Sequence, residues 1–61
     1  MTTYYKEVVD AYEDFIATRE LLESNNIFVL SGDIYNNVLT IKTDVVVPDT
    51  ILEALNLSLV L

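Results

Sequence analysis

The side chains of this chain that could do chemistry are almost all carboxylates. Ten Asp and Glu stand against three Lys and Arg in 61 residues, with no His and no Cys. Acid–base catalysis needs a group that titrates near neutrality in a shielded site, most often His. Nucleophilic catalysis by Cys is excluded, and Ser24, Ser31 and Ser58 have no His to activate them. A lysine base, Lys6 or Lys42, is the formal remainder. A chain this short also has little room for a concave pocket. The expectation is a protein that is not an enzyme.

Metal chemistry fares little better. A zinc site of Cys and His has no ligands here. Asp10, Glu13 and Asp14 are neighbouring oxygen donors of the kind that Ca²⁺ and Mg²⁺ take. No EF-hand loop accompanies them. The segment Ser31-Gly32-Asp33-Ile34-Tyr35-Asn36-Asn37 holds ligand types without the required spacing. There is no Gly-rich phosphate loop and no basic patch. No cofactor and no metal are expected. A formal charge of −7 repels nucleic acid and anionic membrane alike.

What remains is the acidity itself. A helix read from Thr3 to about Ser24 brings Glu7, Asp10 and Asp14 within about 60° of one another, with Glu13 and Glu20 in a second row and Glu23 near the C-terminal end. Like charges three or four residues apart disfavour a helix by a few tenths of a kcal/mol per pair. Only Lys6 and Arg19 offset these six acids. One reading is a solvated face that keeps a small domain soluble. The other is a docking face for a basic, nucleic-acid-binding surface on a larger protein, with Glu7, Asp10, Glu13, Asp14, Glu20 and Glu23 as the contacts. Carboxylates on successive turns lie about 5–6 Å apart, the scale of phosphate spacing along one strand. In size and charge, and in no motif, the chain resembles the small acidic inhibitors carried by phages and mobile elements. That resemblance implies an anti-defence or host-takeover factor of the DNA-mimic type, acting in the host cytoplasm.

The elements that must position these residues are read from period and punctuation. Tyr5, Val8, Val9, Tyr12, Phe15, Ile16 and Leu22 follow the helical template, with Thr2 or Thr3 as N-cap and Ser24-Asn25-Asn26 as the stop. Ile27 to Leu30 and Val38 to Thr43 are β-prone. A hairpin between them can turn at Asn36-Asn37 or at Ser31-Gly32-Asp33. The Asn turn is preferred because it leaves longer strands, with Gly32 as a bulge that bends the strand across the helix. Pro48 ends a strand or starts a helix. Thr50 and Glu53 stand at capping-box spacing, and Asn56 can end that second helix. Leu57 to Leu61 closes the chain as strand or as continued helix, and its apolar character calls for burial. The fold expected is a single α+β domain over residues 1–61: a long N-terminal helix on a small antiparallel sheet, and a short helix before a C-terminal strand.

A chain of this length buries only about 60% of the surface its unfolded form exposes. Disulfides and zinc are unavailable, so association is the remaining stabiliser. A homo-oligomer is expected, with Tyr4, Tyr12, Arg19, Leu59 and Leu61 at its interface. Tyr4, at the helix start, is the better contact candidate; Tyr12 also suits a half-buried core position. Arg19 falls on the apolar side of the wheel, among Val8, Tyr12 and Phe15. It must either reach water along its stem or stack and pair at an interface. A self-associating assembly module, acidic only for solubility, is thus the second functional reading. No apolar run approaches the ~20 residues of a membrane span, and the first residues lack a signal-peptide pattern. A soluble cytoplasmic protein is expected.

Overall fold

Six elements succeed one another along the chain: β1 (Thr2–Glu7), α1 (Ala11–Ser24), β2 (Val29–Tyr35), β3 (Val38–Thr43), α2 (Asp49–Leu55) and β4 (Ser58–Leu59). They are seen in a computed structural model that describes residues 2–61. The strands form one sheet in the order β2-β3-β1-β4, with every neighbouring pair antiparallel. The fold is α+β, with the element order of the split βαβ, ferredoxin-like motif. α1 carries the chain from β1 past one strand position to β2, and β3 returns to fill the gap.

The first element corrects the sequence reading. Thr2 to Glu7 is a strand, so the helix begins at Ala11 and neither Thr2 nor Thr3 caps it. Asp10 is the N-cap, without a side-chain cap bond. The run Thr-Thr-Tyr-Tyr is rich in residues that suit a pleated, half-buried surface. β1 lies between β3 and β4, and Tyr4 and Lys6 pair with the buried Ile41 and Leu39. The helical offsets of Tyr5, Val8 and Val9 mix strand and loop residues, and their match to a helical period is accidental. The true inner stripe of α1 is Ala11, Phe15, Thr18 and Leu22, at i, i+4, i+7 and i+11.

The core under the helices consists of Tyr4, Val8, Leu22, Ile27, Leu39, Ile41, Val47 and Leu57, with Ile51, Leu52 and Leu55 of α2 packed against it. Polar ties fix its edges. The Val47 N–H donates to the Tyr4 hydroxyl at 2.9 Å, joining β1 to the segment before Pro48. The Thr43 hydroxyl donates to the Val45 carbonyl at 2.6 Å. Phe28 and Asp44 clasp each other: the Phe28 N–H donates to Asp44 Oδ1 at 3.1 Å, and the Asp44 N–H donates to the Phe28 carbonyl at 3.2 Å.

Asparagine supplies the left-handed backbone. Asn26, Asn36, Asn37 and Asn56 have φ of 62, 50, 60 and 55°. Asn26 follows α1, Asn56 caps α2, and Asn36-Asn37 form the two-residue hairpin turn expected between β2 and β3. Gly32 does something else. It sits in register opposite Ile41, and the bulge falls earlier, between Val29 and Ser31. Its hydrogen makes room for the Phe15 ring: a Cβ there would lie 2.9 Å from Phe15 Cζ and closer still to Cε1.

The C-terminal third departs from expectation in two places. α2 starts one residue before Thr50, with Pro48 as N-cap; the Pro48 carbonyl accepts from the N–H groups of Ile51 and Leu52, so no capping box forms on Thr50. Residues after Asn56 turn into β4, and the Val60 N–H donates to the Thr3 carbonyl. Leu57 is buried, but Leu59, Val60 and Leu61 remain exposed.

Candidate partner-binding surface

Breaking the helix at Ala11 redistributes the acidic residues. Glu7 ends β1, Asp10 caps α1, and Glu13 and Asp14 occupy its first turn. The row of Glu7, Asp10 and Asp14 on successive helical turns therefore does not exist. What forms instead is an acidic pole at one end of the molecule. The reversal from β1 into α1 brings Val8 to the β2–β3 turn, where its N–H donates to the Asn37 carbonyl at 2.8 Å. Glu7 lies in the sheet row that faces away from α1, and Asp10, Glu13 and Asp14 follow at the start of the helix. Carboxylates in the first turn of a helix are favoured by the dipole, so this placement lowers the cost of grouping them.

Glu20 and Glu23 lie outside the pole. At 1.5 Å per residue they stand roughly 10 and 15 Å along the helix from Glu13. Glu23 is near the C-terminal end, where α1 carries no basic residue. Of the six carboxylates expected to act together, Asp10, Glu13 and Asp14 share the start of α1 and Glu7 precedes them at the end of β1, whereas Glu20 and Glu23 lie further along the helix.

The pole also presents apolar side chains. Val9 is 99% exposed, and Tyr35, at the end of β2, is 78% exposed. Glu7, Val8, Val9, Asn36, Asn37 and Val38 line a shallow hollow between the β1 end and the hairpin turn. Tyr35, Val38 and Glu7 form the last cross-strand row of the sheet here. Neither Val9 nor Tyr35 was singled out as a contact by sequence reasoning. The signal available was an apolar residue beside Asp10 and an aromatic beside the turn asparagines.

The expected interface residues divide as well. Tyr4 is only 1% exposed and belongs to the core, because its hydroxyl is needed by Val47. Tyr12, expected at an interface or half-buried in the core, is 70% exposed, which sets aside only the core position. Arg19 is exposed rather than set in the apolar stripe, and its Cζ stacks 5.6 Å from the Phe15 ring centroid. Leu59 and Leu61 are exposed on the β4 side, at the opposite edge of the sheet from β2.

Among the described residues, no group of three or more His, Cys, Asp and Glu side chains could hold a metal ion. A second shallow hollow is lined by Asp49, Leu52, Glu53, Asn56, Leu57 and Ser58, with no basic side chain beside Ser58. No helix among the described residues is long and apolar enough to cross a membrane. No protein-family model, no curated protein and no solved structure matches this chain.

Proposed function

We propose that this chain is a non-enzymatic binding protein that docks its acidic pole on a basic surface of a larger protein. The observation that supports this reading is the run of Glu7, Asp10, Glu13 and Asp14 through the β1–α1 reversal, with exposed Val9 among them and exposed Tyr35 beside the neighbouring turn. Charge steers the approach of a basic partner, and apolar side chains within the charged rim supply contact area once water is displaced. The grouping suits a compact basic patch, such as the nucleic-acid site of an enzyme, better than it suits mimicry of a regular row of phosphates. An inhibitor that occupies such a site is the form of this function that the net charge of −7 favours.

The test compares two charge-neutralised variants. Glu7→Gln, Asp10→Asn and Glu13→Gln together strip the pole, whereas Glu20→Gln with Glu23→Gln strips the far end of α1. Affinity capture at low salt is expected to retain a basic protein with the wild type and with the far-end variant, and to lose it with the pole variant. Equal retention by both variants would reject the pole as the docking site.

A further inference from the structure

We infer that two copies of this chain pair antiparallel through β2, with Gly32 opposite Gly32 on the two-fold axis, to make one eight-stranded sheet. The inference starts from backbone groups. The Val8 N–H bonds to the Asn37 carbonyl, so β3 alternates from there: Leu39 and Ile41 bond toward β1, and Val38, Thr40 and Lys42 bond toward β2. Their partners Tyr35, Asp33 and Ser31 are thereby satisfied. The N–H and C=O groups of Gly32 and Ile34 point away from the sheet at its edge. β2 contains no Pro and no Lys, the residues that commonly blunt an edge strand. Its apolar members Leu30, Ile34 and Tyr35 are exposed.

The register follows from which residues then meet. With Gly32 opposite Gly32, Ser31 faces Asp33 of the second copy, and Ile34 comes to the level of the bulge residue Leu30. A one-residue slip sets free edge groups against groups already bonded within each sheet. A two-residue shift toward the turn sets Asp33 against Asp33, a like-charge pair directly opposite, and one away from it centres the axis on Ser31, next to the bulge at Leu30. Shifting further, to Ile34 opposite Ile34, sets Gly32 against the turn residue Asn36. In the Gly32-centred register, the row across the open face reads Thr40, Asp33, then Ser31 and Lys42 of the second copy. Asp33 and that Lys42 are two strand spacings apart, about 10 Å between Cα atoms. A lysine stem lying across Ser31 can span much of this gap, and the two-fold axis makes the contact twice.

The helical face closes the same seam. The Phe15 ring sits over Gly32, so α1 lies close to the β2 edge. The two-fold axis brings α1 of the second copy alongside, antiparallel. Arg19 is already stacked on Phe15, and it comes to the level of Tyr12 of the second copy. Pairing would cover the side chains of Ile34, Leu30, Phe15 and Tyr12. The β2 edge shares Tyr35 with the acidic pole, and the pairing does not depend on docking there.

Disulfide trapping tests the pairing and its register, because the chain has no native Cys. Ser31 and the facing Asp33 would form a non-hydrogen-bonded pair, whose Cα separation of about 4.5 Å accepts a disulfide. Chains carrying Ser31→Cys are mixed with chains carrying Asp33→Cys and oxidised. Covalent dimer is expected from the mixture and not from either variant alone. Sedimentation equilibrium of the wild type is expected to show dimer across the micromolar range, with a fraction that rises with salt as the −7 charges are screened. Docking through the acidic pole responds to salt in the opposite sense, so the two failures are distinguishable. Ile34→Lys, at an exposed edge position, is expected to yield a folded monomer by circular dichroism and sedimentation. A wild-type monomer throughout, crosslinking by Asp33→Cys alone, or a dimer that survives Ile34→Lys would each overturn the inference.

Discussion

Substituting Gly32 by Ala tests the closest approach in the fold. The added Cβ would lie 2.9 Å from Phe15 Cζ and 3.2 Å from Cδ1, with Cε1 nearer still. Carbon atoms prefer about 3.5–4.0 Å, so the ring or the strand must move. The Phe15 backbone is held within α1 and Gly32 within a paired strand. The strain therefore falls on the ring, whose displacement disturbs the Arg19 stack and the seam with the core. Overpacking of this kind costs typically about 1–3 kcal/mol. A domain of this size has a total stability of roughly 3–9 kcal/mol, and each kcal/mol shifts the melting temperature by about 4–8 °C. Gly32→Ala is thus expected to lower the Tm by about 10 °C at a fixed protein concentration, and Gly32→Val by more. Asn25→Ala, which removes an exposed bond to the Leu21 carbonyl, is expected to cost less than about 1 kcal/mol. Coupling is the sharper measure. On a Phe15→Leu background the same Gly32→Ala change should cost less than half as much, giving a coupling energy of about 1 kcal/mol. Equal cost on both backgrounds, in paired chemical denaturation curves, would refute the claim that Phe15 makes Gly32 necessary.

Three further outcomes follow from single atoms. Tyr4→Phe leaves the Val47 N–H without its acceptor in a buried place; urea denaturation should show a loss of about 1–3 kcal/mol. Thr18→Val replaces a fully buried hydroxyl that has no hydrogen-bond partner with a methyl of similar shape, and should raise stability by about 1 kcal/mol; a decrease would show that the hydroxyl is satisfied in solution. Asn37→Gly should hold or raise the melting temperature, since Asn-Gly suits a turn with two positive φ angles, whereas Asn37→Val should cost more than about 1 kcal/mol.

The hairpin turn, the stop after α1 and the end of α2 were legible in the sequence because asparagine tolerates positive φ, and four asparagines take it. The α+β class was legible from the change of period after Asn26. The strand at Thr2–Glu7 was not: a six-residue central strand carries too few positions to outweigh a longer helical period that runs through it. That one misreading governs the acidic surface, since a helix from Thr3 makes a row of carboxylates and a helix from Ala11 makes a pole. Gly32 was legible as special, but for the wrong cause. Its role is set by Phe15, 17 positions away, a contact that local pattern does not encode. The same holds for Tyr4, expected at an interface but buried, because its burial depends on the element it joins.

The central claim, that the pole of Glu7, Asp10, Glu13 and Asp14 is the docking surface, is tested most directly by association kinetics with a partner captured at low salt. The association rate of the wild type should fall steeply as ionic strength rises, while neutralising Glu7, Asp10 and Glu13 should both slow association and flatten that dependence. The Glu20→Gln and Glu23→Gln variant should track the wild type closely. An association rate that is indifferent to salt, or a pole variant that binds with the wild-type rate and salt slope, would contradict the account.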